Sequence, residues 1–199
     1  MRHRCGAPPL NGDVRRPMTR FAKLPIVVAL ILTQKSWAAA PMRDDPGQHP
    51  AVQLFLNACA SSYAHLEQVA SETAKVGLKE LSSSEAGSYS YLVGTSGRAW
   101  RGNVGNDSYV VALAPERLCC VVVHQGDAKA IFSGLESWLP PKDSGVSIKK
   151  RVSAVRDGTT TTSYQLYGGE VHEQWVITTS SNPASPIRAI ISWNRLPAA

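Results

Sequence analysis

No stretch of this chain is apolar for long enough to cross a bilayer. The longest run, residues 24–32, is nine residues, against the ~20 that a spanning helix needs. Signature chemistry is equally scarce. The chain has no G-x-S-x-G elbow, no P-loop, no dinucleotide glycine fingerprint and no H-E-x-x-H, so none of the usual sequence evidence for a hydrolase, nucleotide-binding protein or zinc protease is present. It also has no Cys-x-x-Cys and no histidine pair at ligand spacing, and neither a metal nor another cofactor is expected. Apart from a short threonine run at 159–162, repeats and low-complexity tracts are missing as well.

What the chain does carry near its beginning is an export signal. Met18-Thr-Arg-Phe-Ala-Lys23 is a short positive start, residues 24–32 are the compact apolar run, and Ser36-Trp37-Ala38 offers the small residues that a signal peptidase reads. Cleavage is expected near Ala38; a cut after Ala40 would leave Pro41 next in line. Residues 1–17 resemble neither a signal start nor the start of a domain. They read as an upstream extension from a misplaced start codon, or else as an unusually long charged leader. Residues 18–38 are then the cleaved signal, 39–49 a polar flexible leader, and 50–199 one domain large enough for a real core.

The signal changes the meaning of the charge. The whole chain is formally +6, with 21 basic and 15 acidic residues, a balance that invites nucleic acid or an anionic membrane as partner. Seven of those bases and only Asp13 among the acids precede Ala39, which leaves 14 of each sign in residues 39–199. The exported part is formally neutral, and nucleic acid is not an expected partner. The expected location is the periplasm or the exterior, where thiols pair.

Three cysteines remain after the signal. Cys119 and Cys120 are adjacent on an apolar run that reads as a strand, so they point to opposite faces. Only one of them can reach Cys59. Both rows, Leu118/Cys120/Val122 and Cys119/Val121/Val123, are apolar, so the pattern leaves the pairing open as Cys59 with Cys119 or with Cys120.

From Pro50 the residues Val52, Phe55, Leu56, Cys59, Tyr63, Leu66, Val69, Ala70 and Ala74 recur at three- and four-residue spacing. They predict a helix ending near Gly77, with Ser61-Ser62 as a possible break. Strands are expected around 89–93, 98–104, 108–113 and 118–124. A second helix follows Asp127, buried through Ile131, Phe132, Leu135, Trp138 and Leu139. The remainder alternates with period two and turns at Asp157-Gly158, Gly168-Gly169 and residues 182–186, as an antiparallel meander does. The predicted class is α+β: an antiparallel sheet with two main helices packed on one face, in the order helix, strands, helix, strands.

Candidate sites are few. Arg98 and Trp100 share a strand face and, with Arg101, form a possible recognition patch, because tryptophan and arginine dominate binding hot spots. Trp100 alternatively plugs the core beside Trp138 or Trp175. His172 shares a face with Glu170, opposite Glu173, and this pair would present an imidazole and a carboxylate to a ligand. His124 with Asp127 is the nearest thing to an oriented general base, although the plainer reading has Asp127 capping the second helix and His124 ending a strand in solvent. No catalytic residue is assigned. Lys149-Lys150-Arg151 reads as edge charge that discourages aggregation.

Taken together, Phe55-x-x-x-Cys59 on the first helix, the helix end near Gly77, Trp100 on a strand and a cysteine before Val121 resemble an uncharacterised family of short exported proteins and lipoproteins of Gram-negative bacteria. The resemblance spans most of residues 51–193. It implies a disulfide between the early and a later cysteine, and an envelope address, but no activity. This chain departs from it in the doubled cysteines and in having no lipobox. The function expected is a non-catalytic domain that binds another envelope or secreted protein, such as an inhibitor, immunity or accessory protein. The alternatives are a small-ligand sensor and a small hydrolase built on His124 or His172.

Overall fold

A computed structural model describes residues 48–154, 157–169 and 171–197. The expected extension, signal and most of the leader, together with Glu170, lie outside the described residues. Eight antiparallel strands form one sheet in the order β1-β2-β3-β4-β8-β7-β6-β5. They are β1 Lys79–Glu80, β2 Arg98–Val104, β3 Asp107–Ala114, β4 Leu118–Val123, β5 Ser147–Ala154, β6 Thr159–Gly168, β7 Val171–Ser180 and β8 Ala189–Arg195. Two sequential meanders, β1–β4 and β5–β8, are zipped into one sheet by the pairing of β4 with β8, from Leu118↔Asn194 to Val123↔Ala189. At the β5–β6 turn Asp157 and Gly158 both adopt positive φ, 64° and 74°, as the tight hairpin turn expected there requires.

The expected arrangement of two main helices on one sheet face does not form. The protein is β-rich and its helices are short, for three physical reasons. First, the predicted long helix is broken. Helix α1, Pro50–Leu54, runs into a π-helical turn, Phe55–Ala60, and stops before α2, Leu66–Lys75. Ser62 Oγ donates back to the carbonyl of Ala58, a local bond that competes with helix continuation. Tyr63 and Ala64 then take positive φ, 49° and 58°, which ends a right-handed helix outright.

Second, residues 89–93, expected as a strand, are helical. Ser82 and Glu85 make a capping box that nucleates α3, Ser83–Ala86. A 3-10 turn, Gly87–Tyr89, leads into α4, Ser90–Val93, and Tyr89 and Val93, four residues apart, are both buried.

Third, these turns sit on the sheet face opposite α1. On the inner face, Trp100, Val111, Cys119, Val121, Ile177 and Trp193 pack with Val52, Phe55, Cys59 and, from helix α5 (Ala128–Ser137), Ile131 and Leu135. On the outer face, Ala99, Val110, Ala112, Cys120 and Val122 pack beneath Ala86, Tyr89 and Val93. The middle of β3 and β4 is therefore buried on both sides.

Cys59 and Cys119 stand at disulfide distance, Sγ–Sγ 2.00 Å, across 60 residues of chain. Cys120, on the other row, is buried and free beneath the outer-face helices. Burial pushes its thiol up to about 12, so it is a packing residue rather than a reactive one.

Candidate binding surface

The outer cover stops at β8. Beyond it, β6 and β7 alternate strictly. Tyr164, Leu166, Trp175 and Ile177 are buried inward, while their neighbours point to an outer face that no described helix covers. Antiparallel register aligns these outward residues into rows: Lys149 beside Gln165, Gln165 beside Gln174, Tyr167 beside His172 and Thr161 beside Thr178, then Gln174 beside Asn194 and Val176 beside Ser192. The result is a platform made largely of hydroxyls and amides. Its side chains keep hydrogen-bonding capacity for a partner, although Thr161 and Thr178 bond to each other through Oγ1 at 2.9 Å. Lys149 and Arg151 form its charged border; neither makes an ion pair among the described residues.

His172 lies on this platform. Its ring meets Tyr167 edge-on, with centroids 5.9 Å apart, and its buried Nδ1 has no hydrogen-bond partner among the described residues. The other sequence-derived candidates lie elsewhere. Arg98 and Trp100 do come together on the inner row of β2, with the guanidinium 5.5 Å from the ring centroid. Trp100 is nevertheless a core residue at 3% exposure, and Arg98 is held by Glu80 through Nε and Nη2 at 2.6 and 2.5 Å. Arg101 points to the outer face, where it donates to the Tyr89 hydroxyl at 2.9 Å. The four residues are thus divided between two faces and two halves of the sheet.

Asp127 caps α5 by accepting from the Lys129 N–H at 2.8 Å, and His124 contacts the Pro186 carbonyl through Nδ1 at 2.9 Å. Neither His124 nor His172 has a carboxylate partner among the described residues.

Where the α4 cover ends, a step in the outer surface leaves an open crevice of about 720 Å³, lined by Leu92, Val93, Arg117, Leu118, Asn194 and Arg195 among others. Arg117 and Arg195 make no ion pair among the described residues. The crevice thus combines an apolar wall with two cations and the carboxylate of Glu116.

Two polar clusters that the sequence did not announce tie the fold together, one beside β3 and one behind the platform. His49 Nδ1 accepts from the Ala51 N–H at 3.2 Å and so caps α1, while its Nε2 lies 3.6 Å from Asp107. Tyr109 donates to the same carboxylate at 2.8 Å. Burial lowers the His49 pKa, partly offset by Asp107 and Asp127, so the neutral ring that capping needs is the favoured form. On the inner face, Glu173 accepts from the indole of Trp193, and burial raises its pKa. Both imidazole nitrogens of His49 are occupied by the protein itself, which fits a structural pin better than a base facing substrate.

Among the described residues, no three His, Cys, Asp or Glu side chains stand together as a metal site, and no helix is long and apolar enough to cross a membrane. The Cys59–Cys119 pair is of the kind that persists in oxidising compartments. No protein-family model, curated protein or solved structure matches the chain.

Proposed function

We propose that this chain is an exported, non-catalytic binding module that engages another envelope or secreted protein through the bare outer face of β5–β8. The observation that carries the reading is the asymmetry of cover: among the described residues, helices pack on the outer face over β2–β4 and none packs on it over β5–β8. Four strands about 4.8 Å apart and roughly eight residues long make a platform of roughly 20 by 27 Å. That is comparable in order to what one partner contributes to a standard interface. Uncharged hydroxyls and amides at the centre, one aromatic pair and a basic border suit a polar protein interface better than a nucleic acid groove. The location follows from the signal: periplasm or exterior, after cleavage near Ala38. An inhibitor, immunity or envelope accessory role is the concrete form, in keeping with the resemblance to short exported Gram-negative proteins.

The test is capture from an envelope extract by the oxidised protein and two variants, each checked for native thermal unfolding. Gln174→Arg places a bulky charge mid-platform and is expected to abolish capture of the partner that wild type retains. Arg98→Ala, on the inner row of the other half, is expected to leave capture intact. Loss with Arg98→Ala and retention with Gln174→Arg would move recognition to the Arg98/Trp100 patch. A second reading, binding of a small anionic ligand, rests on the crevice with Arg117 and Arg195. Its signature is thermal stabilisation by carboxylate-bearing amphiphiles, lost in Arg117→Ala.

A further inference from the structure

The two edges of the sheet differ in how open they are to another strand. At one end β1 is only two residues long, too short to template another strand. At the other end β5 is eight residues long and pairs only with β6, one-to-one from Ser147↔Tyr167 to Ala154↔Thr160. It contains no proline, the register shows no bulge, and Lys149 to Ser153 are all exposed. Among the described residues, no backbone bond from a loop or turn covers its far side. An edge strand of that length leaves roughly four N–H and four C=O groups facing outward.

Its side chains are also sorted. On the outer row Lys149 and Arg151 have no acidic partner among the described residues. On the inner row Lys150 is held by Glu136 at 2.7 Å, Ile148 packs on the core, and Val152 is 58% exposed.

We infer that β5 is an acceptor for an incoming β-strand of alternating acidic and apolar residues. The acids face Lys149 and Arg151 on the outer row, and the apolar residues lie along Ile148 and Val152 on the inner row. A second copy of β5 is the poorer occupant, because antiparallel self-pairing centred on the strand sets these unneutralised cations against each other. Such an incoming strand extends the sheet and lengthens the platform, and this mode of recognition is well suited to extended protein segments. The inference rests on the protein-binding reading and names the partner's chemistry at its border.

The experiment uses an eight-residue fluorescent peptide of alternating Glu and Val, read by anisotropy with the oxidised protein. Two further versions are N-methylated on the Glu residues or on the Val residues. Strand addition predicts saturable binding, weakened about tenfold by Arg151→Glu with unchanged thermal unfolding. It also predicts that only one of the two N-methylated peptides binds, because alternate amides face the edge. Amide exchange should slow within 147–154 on binding. Absence of binding, equal binding by both methylated peptides, or equal binding to Arg151→Glu overturns the inference. If the peptide fails while Gln174→Arg still abolishes partner capture, the platform reading stands and the edge assignment alone falls.

Discussion

The two halves of the sheet share one hydrogen-bonded ladder but were built for different surroundings. In the β1–β4 half, the middle of β3 and β4 is buried on both faces, between α1 with its π turn and the α3–α4 turns. In the β5–β8 half, β6 and β7 bury one row and leave the other open. The residues match: Tyr-Val-Val-Ala-Leu and Cys-Cys-Val-Val-Val are unbroken apolar runs, whereas Thr-Ser-Tyr-Gln-Leu-Tyr and His-Glu-Gln-Trp-Val-Ile place an apolar residue at alternate inward positions. Two-sided burial makes the first half the rigid base of the domain. One-sided burial leaves the second half with an outward row on which no described helix packs.

That contrast can be broken experimentally, beginning with its strongest element. The Cys59–Cys119 bridge ties the first helical segment to β4, and closing a loop of 60 residues is worth about 4 kcal/mol in the chain-entropy model. Cys119→Ser should lower unfolding free energy by that order in denaturant titrations, and reduction of the wild type should match it. Next, Val122→Ala, in a two-sided strand, should cost roughly 2 kcal/mol through the lost burial and the cavity left behind. Val176→Ala, on the platform, should stay within about 0.5 kcal/mol. Equal costs would erase the distinction between the halves.

Smaller effects come from the polar clusters. His49→Ala removes the α1 cap, at about 1 kcal/mol. Because burial lowers the His49 pKa, the folded state binds its proton less readily than the unfolded chain. Stability from the neutral ring is thus present above the ordinary histidine value of about 6.5 and lost as pH falls through the folded value. His49→Asn, which keeps a capping acceptor, should flatten that acid-side loss in thermal scans from pH 7 to pH 5. Glu173 has the opposite sign. Its pKa is raised, so the protonated form is favoured in the folded state and stability falls as pH rises through the folded value. Glu173→Gln should raise the unfolding temperature by a few degrees at pH 7 and leave it unchanged in acid. A lower temperature at pH 7 would mean that the charged carboxylate is needed by the Trp193 indole.

The site was less legible than the fold, and particular residues show why. The period-two pattern correctly paired β5 with β6 and β6 with β7, because tight turns such as Asp157-Gly158 make those pairings local. It also contained the platform, in Gln165, Gln174 and Thr178 at alternate positions. Of the four candidate residues, His172 stands on the platform, whereas Arg98, Trp100 and Arg101, whose types dominate known hot spots, lie off it. In the fold Trp100 is buried in the inner-face core, while Arg98 and Arg101 diverge to opposite faces. The helix predicted across residues 50–77 is interrupted where Ser61-Ser62 offered a break, but the positive φ of Tyr63 and Ala64 leaves no mark on apolar periodicity.

By itself the sequence determined which residues share a strand face, where the tight turns lie, and which strands are apolar on both sides. These follow from backbone geometry over a few residues. Only the tertiary structure decided that β4 pairs with β8, that Cys119 rather than Cys120 meets Cys59, and that the described outer-face helices pack over β2–β4. Both cysteine rows are equally apolar, so the choice between them belongs to whichever helix packs on each side. That is a contact between segments far apart in the chain, and alternation within one strand carries no record of it.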